Sequence, residues 1–234
     1  MLNPTIFSDH EEMSAAAANW LAARLGSQPD ALLALATGAT PLRAYQLLAQ
    51  RPIELFEHAR ILKLDEWGGI PMTSPATCET FLRSVLIGPL GLRERYVGFE
   101  SGTVDPVAEC ARIAEWLEAN GPIDNCVLGL GVNGHLGFNE PADALQPHAH
   151  IAALSQQSLT HSMVRNLRQP PTHGLTLGMA DILHARDILL VVSGPTKAAA
   201  LKQLLAGKIT TRFPASFLWT HPRVTILCDQ AAAG

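Results

Sequence analysis

The chain has 234 residues, 47% of them hydrophobic and 16% charged, with a formal net charge of −4; that is enough chain for one α/β domain with a substantial core, and it excludes a disordered polymer. Seventeen Lys and Arg against 21 Asp and Glu, with no basic cluster, exclude the electrostatic footprint of a nucleic-acid binder. No apolar run approaches the length of about 20 residues that spans a bilayer, so a membrane protein is not expected.

In chain order, the N-terminal stretch MLNPTIFSDHEEMSAAAANW is acidic and has no basic segment leading into an apolar core, so it does not read as a secretory signal. Ser8 or Asp9 opens a helix over 9–25, in which the Ala-rich SAAAANWLAARL is a strong helix former. ALLALAT (31–37) reads as a buried strand, followed by a helix over 41–50 with Pro41 at its first position. RILKLDE (60–66), NCVLGLG (125–131), DILLVVSG (187–194) and RVTILCD (223–229) are the other buried strands. Helical patterns lie between them at 77–88, 105–119, 155–168 and 195–206. Strands alternating with helices imply a single α/β domain over 1–234: a Rossmann-like, doubly wound, mostly parallel sheet with helices on both faces. Cys78, Cys110, Cys126 and Cys228 show no C-x-x-C spacing, and two of them sit in strand-like runs, which fits free thiols and a reduced, cytoplasmic protein.

In such sheets ligands bind outside the carboxyl ends of the strands. After the first run comes TGATP, Thr37 to Pro41: small hydroxyls, a glycine and a helix start, a combination suited to phosphate but also to an ordinary cap. After the second comes DEWGGIP. Successive strand side chains point to opposite faces, so only one of Asp65 and Glu66 can reach a given ligand atom. A carboxylate there is a candidate base for a proton alpha to a carbonyl. After the fourth comes SGPTK, which places Lys197, one of four lysines, in the first turn of a helix, where a cation is unfavourable unless it meets an anion.

The third strand end, LGLGVNGHLGFNEP, contains G-x-G-x-x-G at Gly129, Gly131 and Gly134. A dinucleotide fingerprint needs its last glycine to open a helix and an acidic residue about 20 positions on. Here the sequence after Gly134 is too punctuated for a helix, and HIAALSQQ carries no acid. The glycines read instead as turn-makers that present His135 and Glu140 for acid/base chemistry, the carboxylate setting the tautomer or basicity of the imidazole. His148-x-His150 lacks a third ligand at sensible spacing, so no metal is expected. Phe217, Trp219 and His221 read as core and strand-entry residues.

These strand-end motifs, in this order, resemble the amino-sugar-phosphate deaminase/isomerase family, which shares its Rossmann-like fold with the 6-phosphogluconolactonases. LDEWGGIP, GLGVNGHLGFNEP and SGPTKAAAL are similar to glucosamine-6-phosphate deaminase signatures. CETFL, PLGLRE, CVLGLG, LQP and ASFLW resemble the galactosamine-6-phosphate branch. The resemblance spans nearly the whole chain. It implies a cytoplasmic enzyme that converts galactosamine 6-phosphate to tagatose 6-phosphate and ammonia, combining deaminase, isomerase and hydrolase character. Neither organic cofactor nor metal is implied, and the partner is a small amino-sugar phosphate, with a homo-oligomer compatible. The alternatives are a glucosamine-6-phosphate deaminase, a 6-phosphogluconolactonase, from which Glu140 in FNEP discriminates, and a non-catalytic sugar-phosphate sensor.

By the same resemblance Asp65 is the base at C2, His135 assists ring opening with Glu140 as its acidic partner, and Thr37, Gly38, Ala39, Thr40 and Lys197 hold the phosphate. Asn133 stands where the family commonly has Asp; it can orient a hydroxyl or the imidazole but supplies no charge. Met163 stands where the family often has a phosphate-contacting Arg, with Arg165 and Arg168 nearby as substitutes. The sequence given ends with CDQAAAG, so allosteric control through a C-terminal extension is not expected.

Overall fold

The computed structural model describes residues 2–234. It contains ten strands: β1 (Pro4–Phe7), β2 (Leu32–Leu35), β3 (Arg60–Lys63), β4 (Asp65–Gly68), β5 (Tyr96–Val97), β6 (Asn125–Gly129), β7 (His150–Ala152), β8 (His173–Thr176), β9 (Asp187–Val192) and β10 (Val224–Asp229). Eight α-helices accompany them: α1 (His10–Ser27), α2 (Ala39–Leu48), α3 (Cys78–Leu82), α4 (Pro106–Asn120), α5 (Gln156–Leu159), α6 (Met179–Leu183), α7 (Ala198–Leu205) and α8 (Gln230–Ala233). Seven strands form one parallel sheet in the order β1-β10-β9-β6-β2-β3-β5, and β4-β8-β7 form a smaller antiparallel sheet.

The central strands are apolar on both faces because helices cover both. In β2, Leu32 and Ala34 belong to one core and Leu33 and Leu35 to the other. In β9, Ile188, Leu190 and Val192 alternate with Leu189 and Val191 in the same way. One core packs against α1 and α2 through Leu21, Leu25, Tyr45 and Leu48; the other takes Ile113 of α4 and Leu201 and Leu204 of α7. A third, small cluster under the second sheet brings Trp67 against Phe138, ring centroids 4.6 Å apart.

The five expected strands form, and the doubly wound sheet with helices on both faces is observed. Several boundaries differ. The 60–66 run is two strands, not one: β3 ends at Lys63 in the parallel sheet, and after Leu64 the chain enters β4 of the other sheet. The short strands β1, β5, β7 and β8 lie outside the runs read from the sequence. Asp9, not Ser8, caps α1, its Oδ1 accepting from the Glu12 N–H at 2.9 Å. Pro41 is the third residue of α2, where its missing N–H costs nothing because the first amides of a helix have no intrahelical acceptor. The helix read over 77–88 is α only to Leu82 and continues as a π-turn over Arg83–Ile87. The pattern at 155–168 gives only α5, followed by turns.

The junction between the sheets is built on buried charge. Lys63 is fully buried, and its Nζ lies 2.7 Å from Glu66 Oε2 and 2.8 Å from Glu79 Oε2. Glu66, also fully buried, accepts backbone N–H bonds from Trp67 (2.7 Å), Cys78 (2.9 Å) and Glu79 (2.8 Å). The Tyr96 hydroxyl donates to Glu79 Oε2 at 2.6 Å. One ammonium thus joins β3 and β4 to the start of α3. Lys63→Met keeps the bulk but leaves the buried Glu66 without a cation and Glu79 with Arg83 alone, so it is expected to cost about 3–5 kcal/mol. Urea unfolding checks this; an unchanged midpoint contradicts it.

Candidate active site

A cavity of about 620 Å³ opens at the carboxyl ends of β2, β6 and β9. Its lining includes Thr37, Gly38, Ala39, Thr40, Asp65, His135 and Lys197, so four separate strand ends converge there. Asn133 and Glu140 stand behind this lining.

Asp65 begins β4, pairs with Thr176 across the small sheet and is 8% exposed. Pleating sends Glu66 into the buried Lys63 cluster and leaves Asp65 for the cavity, as the alternation of strand side chains requires. Burial, then the neighbouring charge of Glu66, pushes the Asp65 carboxyl up to about 7, with Lys63 and Cys78 pulling the other way. The carboxylate therefore gains and loses a proton near neutrality.

The stretch from Leu128 to Pro141 leaves β6 as a series of turns, with no helix after Gly134. Gly131 is required by contact: a Cβ there would lie 2.5 Å from the His135 ring, which packs on the bare backbone. The same stretch comes close to Asp65, since a Cβ built at Gly137 would lie 3.5 Å from Asp65 Oδ2.

Glu140 is anchored more firmly than a simple partner of His135. Its Oε1 accepts from the hydroxyls of Ser155 (2.9 Å) and Ser158 (2.5 Å), and its Oε2 accepts from Asn133 Nδ2 at 2.7 Å. Burial opposes ionisation, but His135, Ser158 and Asn133 together hold the carboxyl down at about 2. The His135 Nδ1 to Glu140 Oε2 separation is 3.6 Å, too long for a hydrogen bond. Asn133 also fixes the turn, its Oδ1 accepting from the His135 backbone N–H at 3.2 Å.

On the opposite side, Gly38 has φ +113°, the left-handed region that glycine tolerates, and α2 starts from it without a side-chain cap. Lys197 lines the cavity beside Thr196, and burial lowers its ammonium from the usual range. It takes part in no ion pair among the described residues. The Gly194 N–H goes to Asp229 at 3.1 Å, so the SGPTK loop brings Lys197 to the cavity without offering that amide.

Two lining residues carried no sequence signal strong enough to place them, His161 and Cys78. A Cβ at Gly38 would sit 3.7 Å from His161 Nε2, and burial with the charges of Lys197 and His135 holds that imidazole below the usual range. His161 reaches the cavity because α5 stops at Leu159 and turns follow, which helical periodicity does not predict. Met163 and Arg165 line the cavity and Arg168 does not. His148 pairs with Asp181 at 2.8 Å, and His150 Nδ1 lies 2.9 Å from the His148 carbonyl. Trp219 donates to the Leu204 carbonyl at 2.7 Å, and the buried His221 lies 2.7 Å from that of Ala185. No helix among the described residues is long and apolar enough to cross a membrane, and all four cysteines are free and buried.

The family model described as glucosamine-6-phosphate isomerases/6-phosphogluconolactonase matches residues 8–227. A protein of Escherichia coli (strain K12) that carries the provisional name deaminase AgaI is 43% identical over 226 residues, covering 94% of this chain and 89% of its own. A glucosamine-6-phosphate deaminase of Halalkalibacterium halodurans is 35% identical over 95% of this chain and 93% of its own. A solved structure described as a monomeric glucosamine-6-phosphate deaminase superposes with a TM-score of 0.92 at 32% identity, covering 99% of both chains. A 6-phosphogluconolactonase from Trypanosoma brucei, at 22% identity and TM-score 0.79, covers 100% of this chain and 98% of its own and shares the fold alone. The hydrolase character expected from the sequence is overturned, because the matching names at 30% identity or more are deaminases and the family description names isomerases.

Because Glu140 ionises at about 2 in the folded chain against an ordinary 4.5, its contribution to stability is complete above pH 4.5 and is lost as pH falls toward 2. Glu140→Gln is expected to flatten the loss of stability between pH 5 and about 3 relative to the parent chain. Denaturant unfolding across that range checks it, and an acid slope equal to the parent's contradicts it.

Proposed function

This chain belongs to the glucosamine-6-phosphate isomerase/6-phosphogluconolactonase family, and we propose that it is a hexosamine-6-phosphate deaminase acting on galactosamine 6-phosphate to give tagatose 6-phosphate and ammonia. One observation carries the reading: a single cavity joins a carboxylate poised near pH 7, an imidazole, a glycine-hinged helix start and a lysine without an ion pair. A cavity of about 620 Å³ is of the size that holds a small ligand such as a hexose phosphate.

In this proposal the phosphate lies between the Thr37–Thr40 turn and Lys197, placing the sugar carbons toward Asp65 and His135. His135 takes the proton from the C1 hydroxyl and returns it to the ring oxygen, opening the ring, while Glu140 stabilises the charged imidazole. Asp65 removes the proton from C2, the electron pair forms a C1=C2 double bond as the C1=O π pair moves to O1, which takes a proton from the C2 ammonium, and the same carboxyl returns the proton to C1 as the nitrogen lone pair forms C2=N. The imine left at C2 takes up water and releases ammonia, giving the ketose. A sensor that only binds sugar phosphate has no use for a buried base beside the sugar carbons, which favours turnover.

The galacto assignment rests on the CETFL, PLGLRE, CVLGLG, LQP and ASFLW stretches. The relatives named glucosamine-6-phosphate deaminases support the gluco epimer as a second reading. Ammonia release from the two amino-sugar phosphates, measured side by side, decides between them; release from neither, with hydrolysis of 6-phosphogluconolactone instead, contradicts the deaminase reading.

Three further outcomes are expected. Asp65→Asn keeps the shape without the basicity, so kcat falls by about 10² or more with KM nearly unchanged. Lys197→Ala removes a charge-assisted bond worth about 1.5–3 kcal/mol, raising KM by roughly 10- to 100-fold. Since the base works deprotonated and Asp65 titrates at about 7, kcat/KM falls as pH drops through 7. Steady-state kinetics over pH 5–9 checks all three; a normal rate in Asp65→Asn contradicts the assignment of the base.

A further inference from the structure

Cys78 is the first residue of α3, fully enclosed between Asp65 and Thr37, and it lines the same cavity. The Thr37 hydroxyl donates to its sulfur at 3.0 Å. Burial and the charges of Glu66 and Asp65 raise the thiol well above its usual range, so it stays protonated. A protonated thiol whose lone pair is already engaged by a hydroxyl presents its own hydrogen elsewhere. Asp65 Oδ1, at 3.9 Å, is the acceptor within reach of sulfur.

The other groups around Asp65 leave this role open. Thr176, opposite it on β8, donates to the Leu177 carbonyl, and Tyr45 on α2 donates to the Ala36 carbonyl. Cys126 on β6 is buried, and its thiol is pushed up by burial and by the charge of Asp65. Glu66 repels a charge on Asp65 from the next position, and Lys63, held by Glu66 and Glu79, attracts it.

We propose that Cys78 is a positioning residue that donates its S–H to Asp65, favours the ionised carboxylate and links that base to the Thr37 turn proposed to hold phosphate. The inference deepens the proposed function and rests on it for the role of Asp65 as a base. The link has a direction: phosphate that draws the Thr37 hydroxyl toward itself removes the bond on sulfur and alters the thiol's donation to Asp65. Occupancy of the phosphate side is thereby felt at the base without any movement of the sheets.

The test has two arms. In the parent protein, 13C NMR follows the Cys78 Cβ and the Asp65 carboxyl carbon against pH, with and without inorganic phosphate. The expected result is one shared midpoint for the two carbons and a shift of the Cys78 signal on adding phosphate; a Cys78 signal that ignores both overturns the proposal. In Cys78→Ala, the acid limb of kcat/KM is expected to move up by about half a pH unit to one unit. Activity then falls several-fold at pH 6 and is spared at pH 9. A loss equal at all pH values, which a purely structural role would give, overturns it. If the parent protein releases ammonia from neither hexosamine phosphate, the deaminase reading fails, while the NMR arm still decides whether Cys78 and Asp65 are coupled.

Discussion

The buried Lys63 ammonium, held between Glu66 and Glu79, is the constraint on which the site depends. At Leu64 the chain must leave a parallel sheet and enter an antiparallel one, and such a departure exposes backbone groups that need partners. Glu66 accepts from the Trp67 N–H beside this junction and from the first two amides of α3, Cys78 and Glu79, and Lys63 balances the charge this brings into the core. A buried ion pair is rarely a net source of stability, because desolvation consumes much of the attraction. Here it gives geometry: with Glu66 fixed inward, Asp65 can only face the cavity, and its repulsion by Glu66 adds to burial in raising its proton affinity. The cluster that orders the backbone is thus the one that tunes the candidate base.

The site divides its chemistry between two kinds of carboxyl group. Asp65, with a thiol at long range and no strong donor, sits near pH 7, where proton transfer in both directions is easy. Glu140, with two serine hydroxyls and an asparagine amide on its oxygens, stays ionised far below neutrality and acts as a fixed charge beside His135. Asn133 explains how the turn works without an acid at that position: it spends its amide on Glu140 and its carbonyl on the His135 backbone, tying both catalytic candidates to one loop. Environments that push two carboxyl groups apart mark them for different roles.

Much of this was legible in the sequence because it rests on short-range rules. Apolar runs between punctuating residues marked the central strands, caps and glycines marked the helix starts, and the carboxyl-end rule put Asp65, His135, Thr37–Thr40 and Lys197 on one rim. What escaped depends on distant contacts. β8, four residues long with His and Gly in it, pairs on the edge that β4 offers, and the three-residue β7 pairs in turn on β8. The pattern at 155–168 has helical spacing, but Ser155 and Ser158 are drawn to Glu140 and the helix ends at Leu159, which delivers His161 to Gly38. Asp229 capturing the Gly194 amide, 35 residues away, has no local signal either.

On the proposed mechanism one carboxylate carries a proton between adjacent sugar carbons before ammonia leaves. The most direct measurement is NMR of the ketose 6-phosphate formed from a hexosamine 6-phosphate in D2O. A single base delivers from one side, so deuterium that has entered through exchange with Asp65 is expected at only one of the two C1 positions. Deuterium spread equally over both C1 positions, or ammonia released with no ketose formed, would contradict it.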